Sequence, residues 1–223
     1  MFKDKELIIF DLDGTLIDSA PSLNKALNYM LKELNLEPIS LQQTRDYIGN
    51  GSLILVKRAL VKNKDYKKYN LDEELVKKAQ ELLLNYYKNN LVEDTTLYNG
   101  VKEGLEELAK RRYKLALATN KPHEFVKEIL NSFDISKYFK IALGAGVVEN
   151  KKPNPEILYH ITNTLNISPS KAVMVGDSIN DIKAAKNANI DSIGVRYGYS
   201  DIDIKELKPT VVCDNFKEIL QYF

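Results

Sequence analysis

Two aspartates, Asp11 and Asp13, follow the apolar run Leu7-Ile8-Ile9-Phe10, and Gly14 comes directly after them. Such a run reads as a strand buried in the middle of a parallel sheet. Ligands collect at the carboxyl ends of strands in open α/β sheets. An aspartate there is ionised and can attack an electrophile without activation. A second carboxyl beside it can hold or deliver a proton, because neighbouring carboxylates drive one pKa upward. The same residues also suit a plain Asx-type turn, so the pair alone decides nothing. A calcium loop is excluded. It needs glycine at its sixth position, and Gly14 comes too early after Asp11.

Further groups with chemical potential recur at the ends of later apolar runs. Leu115-Ala116-Leu117-Ala118 leads into Thr119-Asn120-Lys121 just before a helical pattern. A threonine hydroxyl with helix N-terminal amides suits a phosphoryl group, while Thr119 taken by itself reads first as a helix N-cap. Lys151 and Lys152 precede Pro153-Asn154-Pro155, a loop that two prolines stiffen. Ala172-Val173-Met174-Val175 ends in Gly176-Asp177-Ser178, with Asp181 four residues after Asp177. Acids at this spacing meet on one side of a first helical turn. They favour the helix dipole or, near Asp11, hold a hard cation such as Mg²⁺. Taken together, a nucleophile, an acid–base, a phosphate ligand, a cation and a metal site make a set suited to phosphoryl transfer.

The elements that must position this set follow from periodicity. From 95 to 223, short apolar runs alternate with helical patterns, among them Val101, Leu105 and Leu108, or Ile157, Leu158, Ile161 and Leu165. This alternation predicts an α/β fold with a doubly wound parallel sheet. Residues 20–92 break the rhythm with helical spacing throughout, as in Leu23, Leu27, Met30, Leu31 and Leu34. The prediction is a core of residues 1–16 and 93–223 and an all-helical insertion over 17–92. The Lys-rich stretch Val61–Tyr69 inside it reads as a solvated connection.

With these motifs in place, the chain resembles the haloacid dehalogenase superfamily, phosphoglycolate phosphatase type. The matching residues are Asp11-Leu12-Asp13-Gly14-Thr15-Leu16-Ile17-Asp18-Ser19, Thr119-Asn120-Lys121, Lys152-Pro153-Asn154-Pro155, and Gly176-Asp177-Ser178 with Asp181. The resemblance implies a Rossmann-like core with the insertion as a cap closing over substrate. It implies that Asp11 is the nucleophile and forms an aspartyl-phosphate. Asp13 then protonates the leaving alkoxide and later takes a proton from water. Thr119, Asn120 and Lys152 are placed at the phosphate. Asp11, Asp13 through its carbonyl, and Asp177 would ligate Mg²⁺, with Asp181 supporting the site. Arg45 and the loop Gly49-Asn50-Gly51 resemble a cap segment that reaches substrate, and a plain inter-helix turn explains them equally. The substrate expected is a small phosphorylated metabolite, 2-phosphoglycolate first. Pyrophosphatase, nucleotidase, β-phosphoglucomutase and a non-catalytic binding protein are the alternatives. The chain departs from its relatives at Asn99, at Arg111-Arg112 and at Asn189, where glycine or proline is usual.

Composition narrows the setting. With 32 Lys+Arg against 31 Asp+Glu, the chain lacks the basic excess that draws proteins to nucleic acid. No apolar run approaches a membrane span, and the N-terminus does not read as a signal peptide. The single Cys213 forms no internal disulfide, which favours a cytoplasmic location. A monomer or homodimer is expected. Gly144-Ala145-Gly146 lacks the third glycine of a dinucleotide fingerprint, and two isolated histidines make no zinc site.

Overall fold

The computed structural model describes all 223 residues. The chain divides into two compact units, Met1–Asp18 with Leu97–Phe223, and Ser19–Thr96.

The first unit is an α/β layer structure. Its sheet contains β1 (Leu7–Phe10), β4 (Lys114–Pro122), β5 (Phe139–Ala145), β6 (Ala172–Gly176), β7 (Asp191–Val195) and β8 (Val211–Cys213), in the order β5-β4-β1-β6-β7-β8. Every pairing is parallel. The helices α5 (Val101–Lys110), α6 (His123–Ser132), α7 (Glu156–Thr164), α8 (Ile179–Asn187) and α9 (Phe216–Ile219) form the crossovers and the end of the chain. β1 is central and buried along its whole length. Its side chains alternate between two cores. Leu7 and Ile9 join Ile157, Leu158 and Ile161 of α7 and Ala184 and Ala185 of α8. Phe10 faces the other way and stacks on Phe216 of α9 at 5.9 Å. Each fully buried aliphatic or aromatic side chain here contributes roughly 1.5–3 kcal/mol. That burial on both faces explains why β1 reads as a continuous apolar run rather than an alternating one.

The second unit is helical: α1 (Ala20–Glu33), α2 (Leu41–Tyr47), α3 (Ser52–Val61) and α4 (Glu73–Lys88). Leu23, Leu27, Met30 and Leu31 of α1 are buried, as are Val76, Ala79 and Leu83 of α4. Tyr29 stacks on Tyr86 at 4.5 Å where these two helices pack. Ser40 caps α2 in a reciprocal capping box with Gln43, and Asp72 caps α4. The Lys-rich stretch is largely exposed and holds one 3₁₀ turn, Tyr66–Lys68.

The sequence reading places the insertion at 17–92, whereas the units divide two residues later at the first boundary and four later at the second. Ile17–Asp18 (β2) pairs with Thr96–Leu97 (β3) in a two-stranded ribbon, and the Tyr98 amide donates to the Leu16 carbonyl beside it at 3.0 Å. Strands of two residues carry too little pattern to be read from sequence. Thr119 also differs from the N-cap expectation. β4 runs through Pro122, so Thr119 lies inside the strand's end and α6 starts only at His123. Asn189 and Arg112 both adopt the left-handed conformation, with φ of 54° and 70°. Asparagine tolerates it readily, arginine less so.

Candidate active site

Three strand ends converge on one buried cluster of charge. Asp11 follows β1 and is 8% exposed, and its amide donates to the Val175 carbonyl of β6 at 2.9 Å. Asp177 and Asp181 follow β6 and are 2% and 0% exposed. Carboxylate oxygens of these three acids all lie within 4.8 Å of one another. The neighbouring strand β4 contributes Ala118, Thr119, Asn120 and Lys121. The parallel order of β4, β1 and β6 puts these carboxyl ends side by side.

Lys152 is the central cation. The sequence leaves the choice between two lysines open, and the structure resolves it: Lys152 is 3% exposed, while Lys151 is exposed. Its ammonium donates to the Ala118 carbonyl at 2.5 Å and to Asp181 Oδ1 at 2.6 Å. Asp11 Oδ1 stands 3.0 Å from the same nitrogen. That approach is an ion pair without hydrogen-bond alignment, so the buried Asp11 Oδ1 has no hydrogen-bond donor. Burial opposes the Lys152 charge, but Asp11 and Asp181 outweigh it and hold its pKa above the ordinary value.

The three acids repel one another. Burial, then the charge of Asp181, raises Asp11 from 3.8 to about 7, although Lys152 pulls it down. Burial, followed by Asp181 and Asp11, holds Asp177 well above its ordinary value. Asp177 accepts from the Thr15 hydroxyl at 3.1 Å and from the Tyr199 amide at 2.8 Å. Asp181 is held differently. Ser178 donates to its Oδ2 twice, from the amide at 3.0 Å and the hydroxyl at 2.6 Å, while Oδ1 takes Lys152. Both Asp181 oxygens are therefore committed to protein donors, which suits a support for the cluster rather than a direct ligand.

A divalent cation fits this donor set. Hard cations take carboxylate oxygens, Asp11 offers a buried oxygen with no hydrogen-bond donor, and mutual repulsion of the acids would be relieved by positive charge. The backbone is also shaped around Asp177. A Cβ on Gly14, where φ is +87°, or on Gly198 would fall on the Asp177 carboxylate. Gly198→Ala is therefore expected to weaken divalent-metal affinity about 10- to 100-fold, read by calorimetric titration with Mg²⁺. An unchanged affinity would show that this loop does not seat Asp177.

Asn120 is spent on the backbone of Lys152. Its Nδ2 donates to the Lys152 carbonyl and its Oδ1 accepts from the Lys152 amide, both at 3.0 Å. These two bonds clamp the lysine loop against the end of β4. Thr119 Oγ1 accepts from the Lys121 amide at 3.2 Å, and its hydroxyl hydrogen is placed to donate elsewhere. Asp13 is gripped by Lys121, whose Nζ lies 3.0 and 3.2 Å from its two oxygens.

The expected residues Asp11, Asp13, Thr119, Asn120, Lys152, Asp177 and Asp181 all lie in the α/β unit. Arg45 and Gly49-Asn50-Gly51 lie in the helical unit, on the last turn of α2 and the connection to α3, where Gly49 and Gly51 have φ of 111° and 84°. Sequence reasoning missed Lys121, Gly198 and Tyr199 as parts of the site. Tyr199 donates its amide to Asp177 and its hydroxyl to Asp18 Oδ1 at 2.8 Å. The glycine between two tyrosines after the Ser192–Val195 run was the available signal.

A family model described as haloacid dehalogenase-like hydrolase matches residues 8–195. The chain belongs to that family. Among its curated relatives are the phosphoglycolate phosphatases of Psychrobacter arcticus, 43% identical over 98% of this chain and 96% of the relative, and of Vibrio parahaemolyticus, 42% identical over the same shares. A crystal structure described as that of a predicted phosphoglycolate phosphatase from Haemophilus somnus aligns with a TM-score of 0.92. That protein is 37% identical, with 98% of both chains covered. Phosphatases of the haloacid dehalogenase-like family generally depend on a metal, and the buried acids described above are a set that can hold one. No helix is long and apolar enough to cross a membrane.

Proposed function

We propose that this chain hydrolyses small phosphate monoesters with Mg²⁺ as cofactor, and that 2-phosphoglycolate is its substrate. The observation that carries the reading is Asp11: a carboxylate at the central strand's end, with one oxygen lacking a hydrogen-bond donor, beside a buried lysine and two further acids. The full-length relatives named phosphoglycolate phosphatase support the choice of substrate.

Asp11 attacks phosphorus, and the bond from phosphorus to the ester oxygen breaks. Asp13 passes its proton to that oxygen, so glycolate leaves as the neutral alcohol at its hydroxyl. Asp13 then accepts a proton from water as the water attacks the aspartyl-phosphate, which returns Asp11 and releases phosphate. Thr119 donates its hydroxyl to a phosphoryl oxygen, and Lys152 neutralises developing charge. Asn120 keeps Lys152 in register through its backbone. Asp11, the Asp13 carbonyl and Asp177 would hold Mg²⁺, which when bound offsets negative charge between the acids and the phosphate. Asp181 fixes Lys152 and the start of α8.

A substrate panel tests this. Phosphate release is measured with Mg²⁺ on 2-phosphoglycolate, pyrophosphate, nucleoside monophosphates and β-glucose 1-phosphate. The expected result is the highest kcat/KM on 2-phosphoglycolate, by at least about tenfold, a gap of about 1.4 kcal/mol. Preference for any other member would overturn the substrate, and no hydrolysis of any member would overturn the activity.

A further inference from the structure

We propose that Lys121 binds an anionic group on the leaving-group half of the substrate and so confers preference for phosphate monoesters whose leaving group carries a carboxylate. The inference deepens, and rests on, the reading of the site given above.

Lys121 closes the carboxyl end of β4 and is buried, its side chain only 3% exposed. A buried ammonium is costly unless paired, and a buried pair adds little net stability by comparison with apolar packing. Folding alone therefore gives weak reason for this lysine. Its position supplies a better one. The two buried lysines of the site serve different acids. Lys152 is tied to Asp11, Asp181 and the Ala118 carbonyl, the phosphoryl end of the site. Lys121 is tied to both oxygens of Asp13, at 3.0 and 3.2 Å. Asp13 is the group that meets the ester oxygen, so the Lys121 ammonium stands on the leaving-group side.

The hydrogen-bond geometry then requires an exchange. Asp13 presents both oxygens to Lys121, and one of them must turn to the ester oxygen for proton transfer. That turn weakens the pairing of the buried Lys121 ammonium with Asp13, and a charge in a buried place favours a new anionic neighbour. In 2-phosphoglycolate the carboxylate is joined to the carbon that bears the ester oxygen. It arrives beside Asp13 by connectivity alone and offers a charged acceptor to the Lys121 ammonium. A substrate with a neutral leaving group offers none of comparable strength.

The test uses the full chain with Mg²⁺ and two substrates of one skeleton, 2-phosphoglycolate and 2-hydroxyethyl phosphate, in which a neutral hydroxymethyl group replaces the carboxylate. Lys121→Met and Lys121→Gln should lower kcat/KM on 2-phosphoglycolate about 10- to 100-fold more than on 2-hydroxyethyl phosphate. Lys121→Arg should keep most of the discrimination, because it keeps the charge. Lys121→Gln retains a hydrogen-bond donor for Asp13 and serves if the Met variant does not fold. Equal losses on both substrates would reduce Lys121 to a residue that positions Asp13 and would overturn the proposal, as would variants that keep the wild-type preference. If the wild-type enzyme itself hydrolyses both substrates equally well, the choice of 2-phosphoglycolate fails first and the proposal falls with it.

Discussion

Asp11→Asn is expected to lower kcat by at least about 10⁴-fold, because an amide cannot serve as the attacking oxyanion and nucleophile removal is among the most damaging changes to an enzyme. The fold should survive. Asp11 Oδ1 has no hydrogen-bond donor to lose, and Lys152 keeps the Ala118 carbonyl and Asp181. The substitution also removes one of the mutually repelling buried charges that raise the pKa of Asp11 and Asp177. The metal-free variant should therefore melt no lower than wild type. Phosphate release and thermal melts by circular dichroism check both halves. Wild-type turnover by purified Asp11→Asn with Mg²⁺ would exclude Asp11 as the nucleophile.

Chelating the divalent metal is expected to abolish turnover, and adding Mg²⁺ to restore it. Stability should respond in a pH-dependent way. Asp11 rises from 3.8 to about 7 in the folded protein, chiefly through burial and then through Asp181. Asp177 is also raised. Between about pH 4 and pH 7, the metal-free folded state therefore holds protons that the unfolded chain has released. Its stability falls as pH rises through that window, by an amount on the order of a few kcal/mol. Mg²⁺ competes with those protons for the same oxygens. Saturating Mg²⁺ should thus raise Tm by several degrees at pH 8 and by much less at pH 5.5. Equal shifts at both pH values would show that these carboxylates are not the ligands.

The two expectations share one origin, a cluster of acids too close together to be comfortable without positive charge. Much of that cluster is legible in local sequence. A strand buried on both faces must be apolar along its length, so Leu7–Phe10 announces both the centre of the sheet and where it stops. The residue at the stop is then a candidate for chemistry whatever the rest of the chain does. The same reasoning reaches Asp177 after Ala172–Val175 and the lysine loop after Phe139–Ala145. Helical spacing alone marks 20–92 as a separate helical block.

Pairings across the sheet are another matter. Lys121 stands inside a motif that sequence reading picks out, yet its partner Asp13 lies 108 residues away and is reached only because β4 and β1 are neighbours. Asn120 clamps the Lys152 backbone, a role that its position in the sequence does not show, because the strand order brings that loop beside it. Lys151 and Lys152 have the same chemistry, and burial separates them. Gly198 and Tyr199 carry no motif. Their importance is steric and local to Asp177, which sequence distance hides.

The amino-acid sequence by itself thus determined which residues can do chemistry and that they stand at strand ends, because strand and helix periods are local properties of the chain. Tertiary structure alone decided which acid faces which lysine, since strand order and register set those distances. The near-zero net charge conceals this division. It averages a site where Asp11, Asp177 and Asp181 crowd around Lys152, and Asp13 answers to Lys121.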